Sequence, residues 1–162
     1  MYKIDNIDYE IVNMLMEDGR MRAAEIARRL GNKSERAVRY RIDRMIDNNV
    51  IRLSAIVNPK GLGMNVVADV LLEVDSDSIL EVANKIALYD NVSYVACSIG
   101  ETDISVQVMA SDTSEVYRFV TEIIGKIPGV RKTNTSIVPL VIKDVFQWKI
   151  PAQLVSANSN EE

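Results

Sequence analysis

The sequence predicts an α+β protein made of an N-terminal three-helix winged helix-turn-helix and a C-terminal ferredoxin-like βαββαβ domain. Three observations carry this expectation. Apolar residues first recur at helical spacing, then beyond about residue 50 give way to β-branched runs mixed with two further helical stretches. Charge divides at the same place: Arg20 to Arg52 holds ten bases and four acids, and the remainder nine bases and nineteen acids. The second part also contains two similar halves, as a split βαβ fold requires.

The bulk composition suits this division. With 162 residues, 48% apolar and 26% charged, the chain has material for packed cores in one large or two small domains. The expected segments are a helix-turn-helix unit over 1–50, a linker strand and turn over 51–63, a ferredoxin-like unit over 64–150, and a flexible tail over 151–162. There is no histidine, which removes the commonest general base and zinc ligand and disfavours an enzyme. Cys97 stands alone in the apolar segment VSYVACSIG, so burial is expected and an intramolecular disulfide is excluded. No apolar run approaches the roughly 18 to 20 residues that span a bilayer, and the acidic opening MYKIDNIDYE is unlike a signal peptide. A cytoplasmic protein without a membrane partner is the default.

Asp5 is placed to cap a first helix, with Asp8 in its first turn and Ile7, Ile11, Met14 and Leu15 at helical spacing up to Glu17-Asp18-Gly19. A second helix near Ala23 to Leu30 buries Ile26, Ala27 and Leu30, and Gly31 suits the left-handed position that stops it. After Asn32 and Lys33, Ser34 caps a third helix running to about Asn48. Turning about 100° per residue sets Val38, Ile42, Met45 and Ile46 on one side of it. Arg36, Tyr40 and Arg44 fall opposite, with Arg39 at the margin and Asp43 among them. A solvated charged face is the competing reading. The coincidence of cap, turn and charge segregation favours a helix that sets side chains against base edges, with arginine forks for guanine and neighbouring bases for phosphates. The candidate DNA contacts are Arg22, Lys33, Ser34, Arg36, Arg39, Tyr40 and Arg44.

Val50 to Val57 is β-branched and apolar and predicts a short strand, followed by a turn at Asn58-Pro59-Lys60-Gly61. Beyond it the pattern predicts strands near 66–74, 92–98, 104–110 and 131–142, and helices near 78–88 and 113–125. Each helix opens on an Asp/Ser/Thr cluster and each half closes on a turn ending in valine, at Asp90-Asn91-Val92 and Pro128-Gly129-Val130. In this fold the helices cover one sheet face, yet Val66, Ala68, Val70 and Leu72 alternate with apolar Val67 and Leu71. A second copy of the sheet is the economical cover, so a homodimer is expected, its two heads addressing half-sites about one DNA turn apart.

These residues resemble the Lrp/AsnC, or feast/famine, transcription regulators over most of the chain. Ile4-Asp5-x-x-Asp8-x-x-Ile11 is similar to that family's opening, Asp18-Gly19-Arg20 to its first turn, and Glu25-Ile26-Ala27 to its second helix. Ser34-x-x-x-Val38-x-x-Arg41-Ile42-x-x-Met45 resembles its recognition helix, although Gly31-Asn32-Lys33-Ser34 is one residue longer than usual and Asn49 replaces a glycine. The resemblance implies a ferredoxin-like regulatory domain that oligomerises, in many members as an octamer of four dimers binding amino acids between dimers. It also implies a ligand loop, Gly-Asp-Tyr-Asp in the family, matched here at Gly100 and Asp103 with Glu101 and Thr102 differing.

From the residues alone, a glycine turn exposes N–H groups to a carboxylate, Asp103 is an acceptor for an α-ammonium, and Thr133, Asn134, Thr135 and Ser136 add neutral partners. A plain hairpin connection is the competing reading of that loop. The expected partners are double-stranded DNA, a second copy of the chain and an amino-acid effector, with no cofactor or metal. Two other readings stay open: an amino-acid-sensing subunit acting on a partner protein without DNA, and an enzyme like the siroheme decarboxylases.

Overall fold

The computed structural model describes residues 2–31 and 33–156. In chain order the elements are β1 (Ile4–Asp5), α1 (Asn6–Glu17), α2 (Ala23–Arg29), α3 (Glu35–Asp47), β2 (Val66–Val74), α4 (Ile79–Ile86), β3 (Val92–Cys97), β4 (Ile104–Ala110), α5 (Thr113–Arg118), β5 (Val130–Val138) and β6 (Val155–Ser156). The chain divides into two compact units, Met1–Ile56 with Lys143–Glu162, and Val57–Ile142.

In the first unit, the Asp5 carboxylate accepts the Asp8 N–H at 2.8 Å and starts α1. Gly31 (φ 82°) ends the α2 turn, and Ser34 Oγ accepts the Ala37 N–H at 3.1 Å to start α3. Ile11, Val12, Leu15, Ile26, Ala27, Val38 and Met45 form the core, with Ile42 at its edge. Ile46, expected beside them, is 38% exposed because it lies at the rim of the apolar stripe. Asn49 takes the left-handed conformation expected of it (φ 55°) and turns Val50 N–H back to Met45 O at 2.8 Å.

Two expectations are corrected here. Val50 to Val57 forms no strand, and Leu53, Ile56 and Val57 are exposed. β-branched residues favour extended backbone, but a strand needs a ladder partner, and none is present among the described residues. The expected tail, in turn, is structured through Ser156. Val155 and Ser156 pair in parallel with Ile4 and Asp5, Ile150 packs against the helical core, and 157–162 lie outside the described residues.

In the second unit the sheet order is β3-β4-β2-β5, all antiparallel. Ala68, Val70, Leu72 and Val74 of β2 and Ile104, Val106, Val108 and Ala110 of β4 are at most 2% exposed. They pack under Val82 and Ile86 of α4 and Val116 of α5. The helix expected over 113–125 is α-helical to Arg118, then widens to a π turn over Phe119–Ile123 and tightens to 3₁₀ over Ile124–Lys126. Phe119 meets Tyr89 edge-on at 5.2 Å. Gly129 (φ 91°) passes so close to α4 that a Cβ would stand 2.7 Å from that of Ser78. β5 stops at Val138, short of the expected 142. Cys97 is exposed rather than buried, because β3 is an edge strand and Cys97 is its last residue.

Candidate nucleic-acid interface

α3 presents two unlike faces. Val38 and Met45 are 1% and 0% exposed, whereas Arg36, Arg39, Tyr40 and Arg44 all face solvent, with Tyr40 61% exposed. Arg22 at the N-cap of α2 and Lys33 and Ser34 just before α3 are exposed as well, so each expected DNA contact is accessible on this unit. Ser34 spends its hydroxyl oxygen as the helix cap. The Arg44 guanidinium carbon stands 5.6 Å from the Tyr40 ring centre and 5.2 Å from that of Tyr2, within cation–π range of both.

The count of bases overstates the free positive charge. Glu25 accepts from Arg28 at 2.6 Å and from Arg29 at 2.9 Å, and these bonds hold its carboxyl down at about 2. Arg39 bonds Glu35 one turn back. Arg22, Lys33, Arg36 and Arg44 form no ion pair among the described residues. Their field is therefore available to a phosphate backbone.

Arg41 behaves differently. Its Nη1 donates to Asp5 Oδ2 and Asp8 Oδ1, both at 2.8 Å, while the Tyr2 hydroxyl donates to Asp8 Oδ2 at 2.9 Å. Asp8 is 2% exposed. Burial opposes ionisation of Asp5, but the Asp8 N–H and the Arg41 guanidinium outweigh it and leave its pKa below the ordinary value. Burial, reinforced by the bond to Asp8, pushes the Tyr2 phenol up to about 12, so it stays a donor. Sequence reasoning places Asp5 as a cap, and Asp5, Asp8 and Arg41 in family-like motifs, but does not join them into this cluster; the available signal is Arg41 lying beside Met45 on the helical wheel.

The loop after β3 is fastened to the sheet. Ser98 N–H donates to Asp103 O, Asp103 N–H to Leu72 O, and Ser98 Oγ to Thr102 O, each at 2.8 Å. Asp103 Oδ2 accepts the Val74 N–H at 2.7 Å, where the β2–β5 register shifts, so one of its oxygens is already committed. Arg131, which sequence reasoning does not single out, lies 3.8 Å from Asp103 and 3.6 Å from Asp75. Gly100 and Glu101 are exposed and Thr102 half-buried. Thr133, Asn134, Thr135 and Ser136 do not share a face. Thr133 and Thr135 pair with Leu72 and Val70 on the helix side, Asn134 and Ser136 with Leu71 and Asp69 on the open side, because strand side chains alternate. Among the described residues no group of three or more His, Cys, Asp or Glu could hold a metal ion, and no helix is long and apolar enough to cross a membrane.

Comparison with known proteins agrees with this geometry. Residues 4–46 match the AsnC-type helix-turn-helix domain, and residues 67–147 the Lrp/AsnC ligand binding domain. An uncharacterised HTH-type transcriptional regulator of Pyrococcus horikoshii is 36% identical over 142 residues, 87% of this chain and 89% of that protein. The HTH-type transcriptional regulator FL11 of Pyrococcus furiosus is 33% identical over 148 residues, 91% of this chain and 97% of its own. Among solved structures, AsnC of E. coli superposes with a TM-score of 0.81 at 26% identity, covering 90% of this chain and 99% of that one. A Neisseria meningitidis transcriptional regulator in complex with L-Met has the same fold, with a TM-score of 0.81 at 22% identity over 88% of this chain and 94% of that one. With an AsnC-type helix-turn-helix match in one unit, an Lrp/AsnC ligand binding domain match in the other and relatives that match most of its length, the chain belongs to the Lrp/AsnC family of transcriptional regulators.

Proposed function

We propose that this regulator reads DNA with the outer face of α3, through Arg36, Tyr40 and Arg44 at its centre and Arg22, Lys33, Ser34 and Arg39 around them. One observation carries the proposal: Arg36 and Arg44, the α3 bases that form no ion pair among the described residues, lie on the face opposite Val38 and Met45. In a homodimer two such heads address half-sites about one helical turn apart. The open face of the sheet, with Leu71 38% and Tyr94 50% exposed, supports pairing with a second copy, and an octamer of four dimers is the larger assembly we infer. The regulator acts in the cytoplasm, where its DNA is.

An amino acid is the effector this reading favours, taken at Gly100, Glu101, Thr102 and Asp103 with Asn134 and Ser136 of β5 in support; Thr133 and Thr135 contribute less, lying on the helix side. The matching ligand-binding family and the L-Met complex of the meningococcal regulator support that class of ligand. The Asp103 oxygen not bonded to Val74 is the acceptor for an α-ammonium. The family is one of regulators, not enzymes, which sets aside the decarboxylase-like alternative.

The test is retardation of a random-sequence duplex at rising salt. Replacing Arg36, Arg39 and Arg44 together by alanine should weaken binding and flatten its dependence on salt, by about one unit of slope for each phosphate no longer neutralised. Unchanged binding would reject the interface. A monomeric mass at micromolar concentration would reject the dimer, and titration with the twenty amino acids without heat or change of assembly would reject the effector.

A further inference from the structure

The ionic cluster at the start of α1 takes no part in the DNA and effector sites assigned above. Asp5 is engaged three ways at once. Its backbone pairs with Ser156 of β6, its Oδ1 accepts the Asp8 N–H, and its Oδ2 accepts Arg41 Nη1, the two hydrogen bonds at 2.8 Å each. Arg41 belongs to α3, and the same nitrogen reaches the buried Asp8, whose other oxygen holds Tyr2, whose ring in turn faces Arg44. One connected network thus runs from β1 and β6 to the side chains of the reading helix.

Apolar packing at Val38 and Met45 seats α3 but is non-directional and resists its rotation weakly. Hydrogen bonds to charged groups are short and directional, so they can fix an angle. Resting on the reading of α3 as the DNA-contacting helix, we propose that Asp5 is a positioning residue for DNA recognition. Held by β6 and tied to Arg41, it sets the angle at which Arg36, Tyr40 and Arg44 meet the duplex.

The proposal separates from a charge effect by sign. Asp5→Asn and Asp5→Ser both retain a good helix cap. In Asp5→Asn, Oδ1 stays on the Asp8 N–H while an NH₂ group, which cannot accept, faces the guanidinium; serine does not reach it. Removing an acid from the head by electrostatics alone strengthens binding to every duplex.

The probes are a duplex selected by the wild-type full chain from random sequence and an unrelated duplex of equal length. Both variants are assayed below the onset of their own melting, so that folded heads are compared. We expect the ratio of selected to unrelated affinity to fall on the order of tenfold in each, the scale of one mis-seated bidentate base contact. An unchanged ratio in either variant, including one where both affinities rise together, would overturn the proposal. If the wild type selected no duplex, the reading of α3 itself would fall, and this proposal with it.

Discussion

The two units of this regulator are held in shape by different means. In the sheet unit the buried cluster is wholly apolar, sixteen residues from Ala68 to Ile127. The helical unit has seven buried apolar residues and adds Asp8, the one buried charged residue among those described. Apolar burial grows with area and is indifferent to direction, which suits a domain that must simply stay folded. A reading head must also aim, and its small core is supplemented by a directional network of Tyr2, Asp5, Asp8 and Arg41. The head thus depends on a polar network for which the sheet unit has no buried counterpart among the described residues.

The sharpest way to break this contrast is Arg41→Met. It keeps the bulk of the side chain but leaves the buried Asp8 carboxylate without its cation, and because Arg41 is itself 22% exposed the cost should fall below that of a fully buried pair, about 3 to 5 kcal/mol. Amide exchange should accelerate in α1 and α3 while β2 and β4 keep their protection. Leu72→Ala makes the converse cut. A 0% exposed leucine in the sheet core should cost about 2 to 5 kcal/mol, with exchange rising in β2 and β4 and the head unchanged. If either substitution loosened both units equally, the division of labour would be wrong.

Acid should act on the head through Asp5. Its folded pKa lies below the ordinary 3.8, so its contribution is fully present above that value and is lost as the pH falls through the lower, folded one. The melting temperature of the wild-type head should therefore exceed that of Asp5→Asn at neutral pH and converge on it in strong acid. A gap that widened on acidification would contradict the assigned pair. The smallest effect expected is from Ser34→Ala, which removes a cap on exposed backbone for about 1 kcal/mol, visible as fraying at Ala37 rather than as loss of the unit.

What the sequence disclosed follows the same contrast. Period and capping are local properties, so α1, α2, α3 and the βαββαβ order, with its caps at Asp5 and Ser34, can be read from neighbouring residues. Pairing is not local. Val50 to Val57 has the side chains of a strand but no ladder among the described residues, whereas Val155 and Ser156, in an aperiodic segment, find one with Ile4 and Asp5. The outward face of α3 is legible because it follows from one helix alone. The Arg41 cluster joins residues thirty-three and thirty-six positions apart and is not. The second role of Asp103 depends on a register shift in β2 that no spacing announces. The division of Thr133 to Ser136 between two faces, by contrast, follows from strand alternation and is legible in the sequence.

The central claim is that the exposed face of α3 lies against DNA, and a chemical probe placed there tests it most directly. Asp43 is exposed between Arg39 and Arg44, so a DNA-cleaving iron chelate can be attached at Asp43→Cys after Cys97→Ser removes the exposed native thiol. The expected result is strand cleavage confined to the major groove of the selected duplex, repeated at each half-site. No cleavage from that position, while the same chelate at Ile99→Cys in the sheet unit cuts the bound duplex, would contradict it.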